Sequence, residues 1–276
     1  MRFATSQDVL QSTKIEAIEQ LASLGFDGIE LVIPDGIHRI GSSGLELDPN
    51  YDDPESDMVF SDQGRSQLSR RSEKVGIELV SICLSSLNLR EGLTSHREKE
   101  REEIRQFIER AIAAANDLGI STILVPFFQE ASIGDRRERV RSELIGLSTV
   151  AEGAGVTLAI ETDLNARENA DLLGQIDSDS VRLYYDVGNA AWLENDPAEE
   201  IRRLHSHIQM VHVKDGVQGH SDAMLGNGVV DFDSVSSALR DVDFDGWIVL
   251  ETTTKTDPAE DAYKNLEFVQ KKFDPR

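Results

Sequence analysis

The stretch DLGISTILVPFF, residues 117–128, places a glycine directly before a nearly continuous apolar run. Glycine adopts the left-handed backbone conformation at a helix C-terminus at low cost. A run that is apolar at successive positions is typical of a strand buried on both faces, as in a parallel sheet. The stretch therefore predicts a helix end followed at once by a parallel strand.

The same signature recurs along the chain, as SLGFDGIEL (23–31), KVGIELV (74–80) and GAGVTLAI (153–160). The apolar runs predicted as strands are 2–5, 28–33, 77–84, 121–128, 156–161, 181–186, 208–213 and 246–251. The helix-periodic segments between them are 8–24, 97–118, 135–153, 197–207, 233–241 and 258–272, with weaker ones at 65–75 and 166–176. This alternation predicts an α/β fold, a single (β/α)₈ TIM barrel over residues 1–276. An open doubly wound sheet is the alternative, although no GxGxxG follows the first strand.

Residues 34–64 form a long insertion after the second predicted strand, rich in Pro, Gly, Ser and Asp. Loops of this length in compact domains are usually lids or disordered segments. Because the loop after a barrel strand lies at the active-site end, a lid is the favoured hypothesis and a surface insertion the alternative. Residues 85–96 are expected on the same side.

The chain carries 51 acidic and 28 basic residues, a net charge of −23. The acidic surface repels polyanions, so we expect no nucleic-acid partner. One interpretation is a halophilic surface, and the other is an acidic mesophilic protein. No apolar run reaches the roughly 18 residues of a membrane span, and the N-terminus lacks a signal-peptide pattern, so we expect a cytoplasmic protein without a membrane partner.

Four residues of metal-ligand type stand at or near the ends of the last four predicted strands: Glu161, Asp186, His212 and Glu251. Side chains at the C-terminal ends of barrel strands converge on one pocket. Carboxylates and imidazole are suitable ligands for Mg²⁺, Mn²⁺, Co²⁺ or Zn²⁺. The pattern predicts one divalent-metal site. The alternative is a set of strand-end acids that cap helices or pair with arginine.

Such a site suits proton transfer beside a carbonyl group. A divalent cation can chelate two adjacent substrate oxygens and stabilise an enediolate. Glu161 and Glu251, on different strands, are then candidates for an acid/base pair that moves a carbon-bound proton. Return of the proton to the opposite face inverts a stereocentre, and return to the neighbouring carbon interconverts aldose and ketose.

The motifs AIETD (159–163), YYDVGNAAW (184–192), VHVKDG (211–216), LGNGVVDF (225–232) and IVLET (248–252) resemble the xylose-isomerase-like barrel superfamily of sugar-phosphate isomerases and epimerases. The resemblance implies that the four ligand candidates hold one cation, often Mn²⁺, Mg²⁺ or Co²⁺. It also implies that the two glutamates act as the acid/base pair and that the chain forms a homodimer or homotetramer.

Within that family, DVGNAAW with HVKDG is most similar to the ketose-phosphate 3-epimerases. Many relatives that act on free ketoses carry a histidine where this chain has Asn189. Asparagine still forms hydrogen bonds but does not titrate near neutral pH. The resemblance therefore implies a small sugar or sugar phosphate as the substrate, and Asn189 favours a phosphorylated ketose.

Further substrate contacts are expected around this pocket. Lys214 follows His212 by two residues and so shares its side of the strand, where it is expected to contact a substrate oxygen or phosphate, or else to form a salt bridge. The N–H groups of Gly226 and Gly228 are a candidate anion site, with a plain tight turn as the alternative. The remaining candidates are His220 and Glu30, and a buried Glu30 would require a partner.

Three other functions compete with epimerase or isomerase activity. A dehydratase of the inosose or dehydroshikimate type could use the same metal and proton abstraction. An abasic-site endonuclease would need many more histidines than the six present, and the net charge argues against it. A sugar- or metal-binding protein without activity is the last alternative, and the acid/base pair argues against that.

Overall fold

The computed structural model describes residues 1–33, 39–41, 44–46, 54–217 and 220–274. Eight parallel strands close into a barrel in which each strand pairs with its neighbours in sequence, and β1 also pairs with β8. The barrel strands are β1 (Arg2–Ser6), β2 (Gly28–Val32), β3 (Glu78–Cys83), β4 (Thr122–Phe127), β5 (Thr157–Thr162), β6 (Val181–Asp186), β7 (Ile208–Val213) and β8 (Trp247–Leu250). All eight predicted strands are present, which confirms the (β/α)₈ barrel.

Helices surround the barrel and connect its strands. Those in the described residues are α1 (Lys14–Leu24), α2 (Asp62–Val75), α3 (Glu98–Leu118), α4 (Arg137–Ala154), α5 (Ala166–Ile176), α6 (Val187–Trp192), α7 (Pro197–Leu204), α8 (Phe232–Asp241) and α9 (Pro258–Phe273). Every predicted helical segment contains a helix. The sequence did not predict α6, which follows β6 without a loop.

The predicted helix over 8–24 is wrong at its start. Residues Gln7–Leu10 form a short 3₁₀ turn, Gln11 has a φ of 51°, and α1 begins at Lys14. Thr13 caps α1, because its side chain accepts a hydrogen bond from the Glu16 N–H while the Glu16 carboxylate accepts one from the Thr13 N–H. This reciprocal pair satisfies two N–H groups that a helix terminus otherwise leaves free, and it fixes where the helix begins.

The barrel interior is filled by side chains. A compact inner cluster consists of Ala4, Val80, Leu124, Ala159, Tyr184, Met210 and Val249. The outer faces of the strands pack against the helices in a second, larger core. Burial on both faces explains why the strands are apolar at nearly every position. It also restricts any open pocket to an end of the barrel.

The segment after β2 is less irregular than predicted. Arg39–Gly41 pairs antiparallel with Gly44–Glu46, and α2 already begins at Asp62. Lys14 and Asp57 form a fully buried ion pair of 2.6 Å, which fastens this segment to the start of α1. The lid hypothesis for 34–64 falls in part on residues outside the described part of the chain (34–38, 42–43 and 47–53), and it stays a prediction.

A second antiparallel hairpin follows β7, in which Asp215–Val217 pairs with His220–Ala223. Among the described helices, none has the length and apolar character that crossing a membrane requires.

Candidate metal centre

The four predicted ligands meet at the C-terminal end of the barrel. Glu161 lies in β5, Asp186 ends β6, His212 lies in β7, and Glu251 follows β8 directly. One ligand atom from each residue lies within 4.8 Å of all the others. The first three residues are buried and Glu251 is partly exposed, so the cluster opens to solvent on the Glu251 side. The structure therefore brings together the whole predicted ligand set.

Two atoms of this cluster are buried without a hydrogen-bond partner among the described residues: His212 Nδ1 and Asp186 Oδ2. His212 Nδ1 lies 3.5 Å from Glu251 Oε2, 3.8 Å from Glu161 Oε1 and 3.9 Å from Asp186 Oδ2. A buried polar atom without a partner costs about 1–3 kcal/mol, so native structures rarely leave one without a reason. Three carboxylates around an open imidazole nitrogen fit a divalent cation that supplies the missing contacts.

Among the described residues, Lys214 places a positive charge directly against two of these carboxylates. Its Nζ lies 2.6 Å from Glu251 Oε2 and 2.9 Å from Asp186 Oδ2, although the second contact is an ion pair without hydrogen-bond geometry. Burial lowers the pKa of Lys214, but Asp186 and Glu251 outweigh burial and raise it well above its ordinary value. The ammonium is therefore charged. In this structure Lys214 thus forms salt bridges with Asp186 and Glu251, which was the alternative to a contact with substrate.

The pKa values of the carboxylates reflect the concentration of negative charge in the cluster. Burial raises the pKa of Asp186 to about 7; Lys214 opposes this shift, and the charges of Glu161 and Glu251 add to it. Burial also disfavours the charged form of Glu251, but Lys214 and His212 outweigh it and lower the pKa of Glu251 to about 2. Neighbouring acids are thus driven in opposite directions, which is typical of functional clusters.

The sequence profile of the xylose isomerase-like TIM barrel family matches residues 18–272. The chain belongs to this family. A curated relative is the L-ribulose-5-phosphate 3-epimerase UlaE of Escherichia coli O157:H7 (strain EC4115 / EHEC), which is 28% identical over 270 residues, 93% of this chain and 88% of the relative. The UlaE protein of Escherichia fergusonii (strain ATCC 35469 / DSM 13698 / CCUG 18766 / IAM 14443 / JCM 21226 / LMG 7866 / NBRC 102419 / NCTC 12128 / CDC 0568-73) matches with the same identity and coverage.

Solved structures share the fold over almost the whole chain. D-psicose 3-epimerase with D-tagatose from Clostridium cellulolyticum H10 has a TM-score of 0.78 and 17% identity, and covers 99% of each chain. An L-ribulose 3-epimerase has a TM-score of 0.77 and 19% identity, over 99% of this chain and 94% of that one. The solved structures confirm the fold, and the curated relatives support a sugar or sugar-phosphate epimerase, an enzyme of the isomerase class.

In this xylose isomerase-like barrel, Asn189 contacts two ligands of the cluster. Its side-chain Nδ2 donates to Glu161 Oε1 at 2.9 Å, and its backbone N donates to Asp186 Oδ1 at 2.7 Å. The second bond makes Asp186 the N-cap of α6. The short helix that the sequence did not predict thus holds both carboxylates in place.

Gly188 explains why this helix can lie so close to the cluster. A Cβ at position 188 would lie 2.5 Å from Lys214 Cγ and 3.0 Å from the Lys214 carbonyl oxygen. Side chains larger than hydrogen would therefore push α6 away from β7.

The N–H groups of Gly226 and Gly228 do not form a free anion site. Both donate to Asp215 Oδ2 at 2.9 Å, while Asp215 Oδ1 accepts from the N–H groups of Gly216 and Val230. A Cβ at Gly228 would lie 2.1 Å from Asp215 Oδ1, so the close approach requires glycine. The loop is therefore a tight turn, which was the alternative to an anion site. Asp215, directly before Gly216, is the sequence signal that could have indicated an internal acceptor for these N–H groups.

Two further candidates have different outcomes. Glu30 is fully buried behind His212 and has no exposed surface for a substrate, so we revise its expected role from substrate contact to support of a ligand. The side chain of His220 lies outside the described part of the structure, and its contact with substrate stays a prediction.

Proposed function

We propose that this protein is a divalent-metal-dependent 3-epimerase of a ketose or ketose phosphate. The observation that carries the proposal is the placement of two glutamates, Glu161 and Glu251, in one cluster with Asp186 and His212. The similarity to L-ribulose-5-phosphate 3-epimerase over 93% of the chain supports the same reaction class. A divalent cation at this site supplies Lewis-acid stabilisation of the negative charge that develops beside the substrate carbonyl.

The two glutamates exchange the proton at C3 of the ketose. One carboxylate removes the proton and leaves the electron pair on the substrate, and the carboxylic acid of the other returns a proton to the opposite face. The atoms and charges balance, and the glutamates finish with their protonation states exchanged. Asn189 holds Oε1 of Glu161, which leaves Oε2 for the proton.

Lys214 is the candidate contact for a substrate oxygen or phosphate. Its ammonium pairs with the same oxygens of Asp186 and Glu251 that a cation would need. With a cation on those oxygens, we expect Lys214 to turn toward the substrate. An ammonium is a common phosphate partner, so Lys214 supports a phosphorylated ketose as the preferred substrate.

The proposal is tested by incubating the metal-loaded protein with a panel of ketoses and ketose phosphates in D₂O and following the products by NMR. Deuterium at C3 together with the C3 epimer is the expected result. Deuterium at C1 or C2 with an aldose product would instead identify an isomerase, and loss of water a dehydratase. No deuterium incorporation with any sugar of the panel would overturn the proposal.

The metal requirement is tested separately, by chelator treatment followed by metal analysis and reconstitution. We expect about one divalent ion per chain in the wild type, because the four ligand residues form a single site. Asp186→Asn should lose most of the bound metal. Asp231→Asn, which changes an exposed carboxylate outside the cluster, should retain it.

A further inference from the structure

Glu30 places a carboxylate inside the barrel, where a charge without partners would be strongly unfavourable. Its side chain is fully buried, and among the described residues three side chains lie within hydrogen-bonding distance of its carboxylate. His212 Nε2 lies 3.0 Å from Glu30 Oε1, while Ser81 Oγ and Tyr184 OH each donate to Glu30 Oε2 at 2.8 Å. The network joins β2 to β3, β6 and β7 directly behind the metal-ligand cluster.

This network determines which imidazole nitrogen of His212 is available to a cation. A neutral imidazole carries its proton on one nitrogen, and the partner of that nitrogen selects the tautomer. An ionised carboxylate only accepts hydrogen bonds, so Glu30 requires the proton on Nε2. Nδ1 then keeps its lone pair, and Nδ1 is the nitrogen that lacks a partner among the described residues and lies nearest the other ligands.

Tyr184 adds a second restraint on His212. The two rings lie 4.2 Å apart between centroids, at an interplanar angle of 56°. The hydroxyl of Tyr184 meanwhile donates to Glu30. The imidazole is thus restrained at its face by a ring and at Nε2 by a carboxylate, both of which are buried.

We propose that Glu30 is a positioning residue that holds His212 in the Nε2–H tautomer and so sets the affinity of the cluster for its divalent cation. The inference rests on the metal site of the proposed function and assigns to Glu30 a role other than substrate contact. The Ser81 and Tyr184 hydroxyls occupy Glu30 Oε2, which leaves Oε1 for His212. Partners of metal-bound histidines typically change metal affinity by about 10–100-fold when they are removed.

Glu30→Gln tests the proposal, because it keeps the shape of the side chain and removes the charge. We expect the affinity for Mn²⁺ to fall by about 10–100-fold, measured by calorimetric titration of the chelator-treated full chain at constant pH. Tyr184→Phe removes one donor to Glu30 and leaves the bond to His212 possible, so its loss should be smaller.

Glu200→Gln is the matched control. Glu200 is also buried and also accepts a hydrogen bond from a tyrosine, Tyr185 OH at 3.0 Å, and a second one from the Ala166 N–H. It does not belong to the four-residue ligand cluster. Its substitution should leave the Mn²⁺ affinity within about twofold of the wild type, so a loss confined to Glu30→Gln separates positioning from the general cost of changing a buried acid.

A second readout follows the tautomer itself. Long-range ¹H–¹⁵N NMR spectra of the Zn²⁺-loaded protein should show His212 protonated at Nε2 in the wild type, and an altered pattern in Glu30→Gln. If Glu30→Gln does not fold, as judged by circular dichroism, the double variant Ser81→Ala with Tyr184→Phe decides the matter. A graded loss of Mn²⁺ affinity in that variant supports the proposal, and unchanged affinity overturns it.

The outcomes separate the two proposals. A wild-type protein that binds none of these cations would contradict the metal site itself, and with it the proposed function. A wild-type protein that binds the cation, with a folded Glu30→Gln variant of equal affinity and the same tautomer, would overturn the role of Glu30 alone.

Discussion

Two clusters of buried polar groups, the metal centre around His212 and the turn around Asp215, are centred on residues only three positions apart, and they differ in how their polar atoms are satisfied. In the metal centre, His212 Nδ1 and Asp186 Oδ2 have no hydrogen-bond partner in the described part of the chain. In the turn, each oxygen of Asp215 accepts two backbone N–H groups.

The difference shows that a buried carboxylate does not by itself mark a functional site. Asp215 is as buried as Glu161, Asp186 and His212, but the backbone already supplies four N–H donors to its carboxylate, so its role is structural. The cluster around His212 instead includes His212 Nδ1, which has no hydrogen-bond partner among the described residues, and such an atom points to a missing partner. Substitutions in the metal centre should therefore change catalysis, whereas substitutions in the turn should change the free energy of unfolding.

The largest effect is expected in the metal centre, for Glu161→Gln and Glu251→Gln. Each variant removes a group that accepts or returns the substrate proton, so kcat should fall by about 10²–10⁴-fold at saturating metal. Formation of the C3 epimer, followed by NMR in D₂O, measures the transfer between the two faces directly. Full epimerisation by either folded variant would contradict the two-glutamate mechanism.

The next effect concerns the turn, for Asp215→Asn. The amide replaces one acceptor oxygen with an NH₂ group that faces two N–H donors, so the free energy of unfolding should fall by about 3 kcal/mol. Urea denaturation measures this loss. Mn²⁺ affinity of the folded variant should stay within about twofold of the wild type. A variant of normal stability that had lost its metal would show that the two clusters are not separate.

The fold was largely predictable, because the features that decide it are local. A glycine before an apolar run located β4 and β5, and the near-continuous apolar character identified strands buried on both faces. The helix break at Gln11 and the existence of α6 were not predictable from the same signals. A single left-handed residue breaks no periodic pattern, and six residues are too few to show one.

The site was predictable where the position of a residue along a strand determines where its side chain points. Glu161, Asp186, His212 and Glu251 stand at strand ends, and strand ends in a barrel converge. Their partners were not predictable in this way. Glu30 and His212 are separated by 182 positions in the chain, and the pattern predicts that Glu30 is buried without showing what it contacts. Likewise, the two glycines of the Asp215 turn do not reveal which acceptor their N–H groups meet.

A smaller effect is expected for Lys214→Met, at the residue that lies between the two clusters in sequence. Loss of the ammonium should lower kcat/KM for a ketose phosphate by about tenfold, since a hydrogen bond to a charged group contributes about 1.5–3 kcal/mol. The value for the corresponding free ketose should change less. Steady-state kinetics with the matched pair of substrates measures the difference, and equal losses for both would place Lys214 away from the phosphate.

The smallest effect is expected for Asp231→Ala. This variant shows how much stability an exposed carboxylate contributes, for comparison with the buried Asp215. Asp231 is exposed and caps α8, where its Oδ1 accepts from the N–H groups of Asp233 and Ser234 at 3.1 Å each. Loss of a helix cap costs about 1 kcal/mol, compared with about 3 kcal/mol for the buried Asp215. Urea denaturation of the two variants under the same conditions should resolve this difference. Equal losses would mean that burial and the two additional N–H donors do not explain the stabilisation by Asp215.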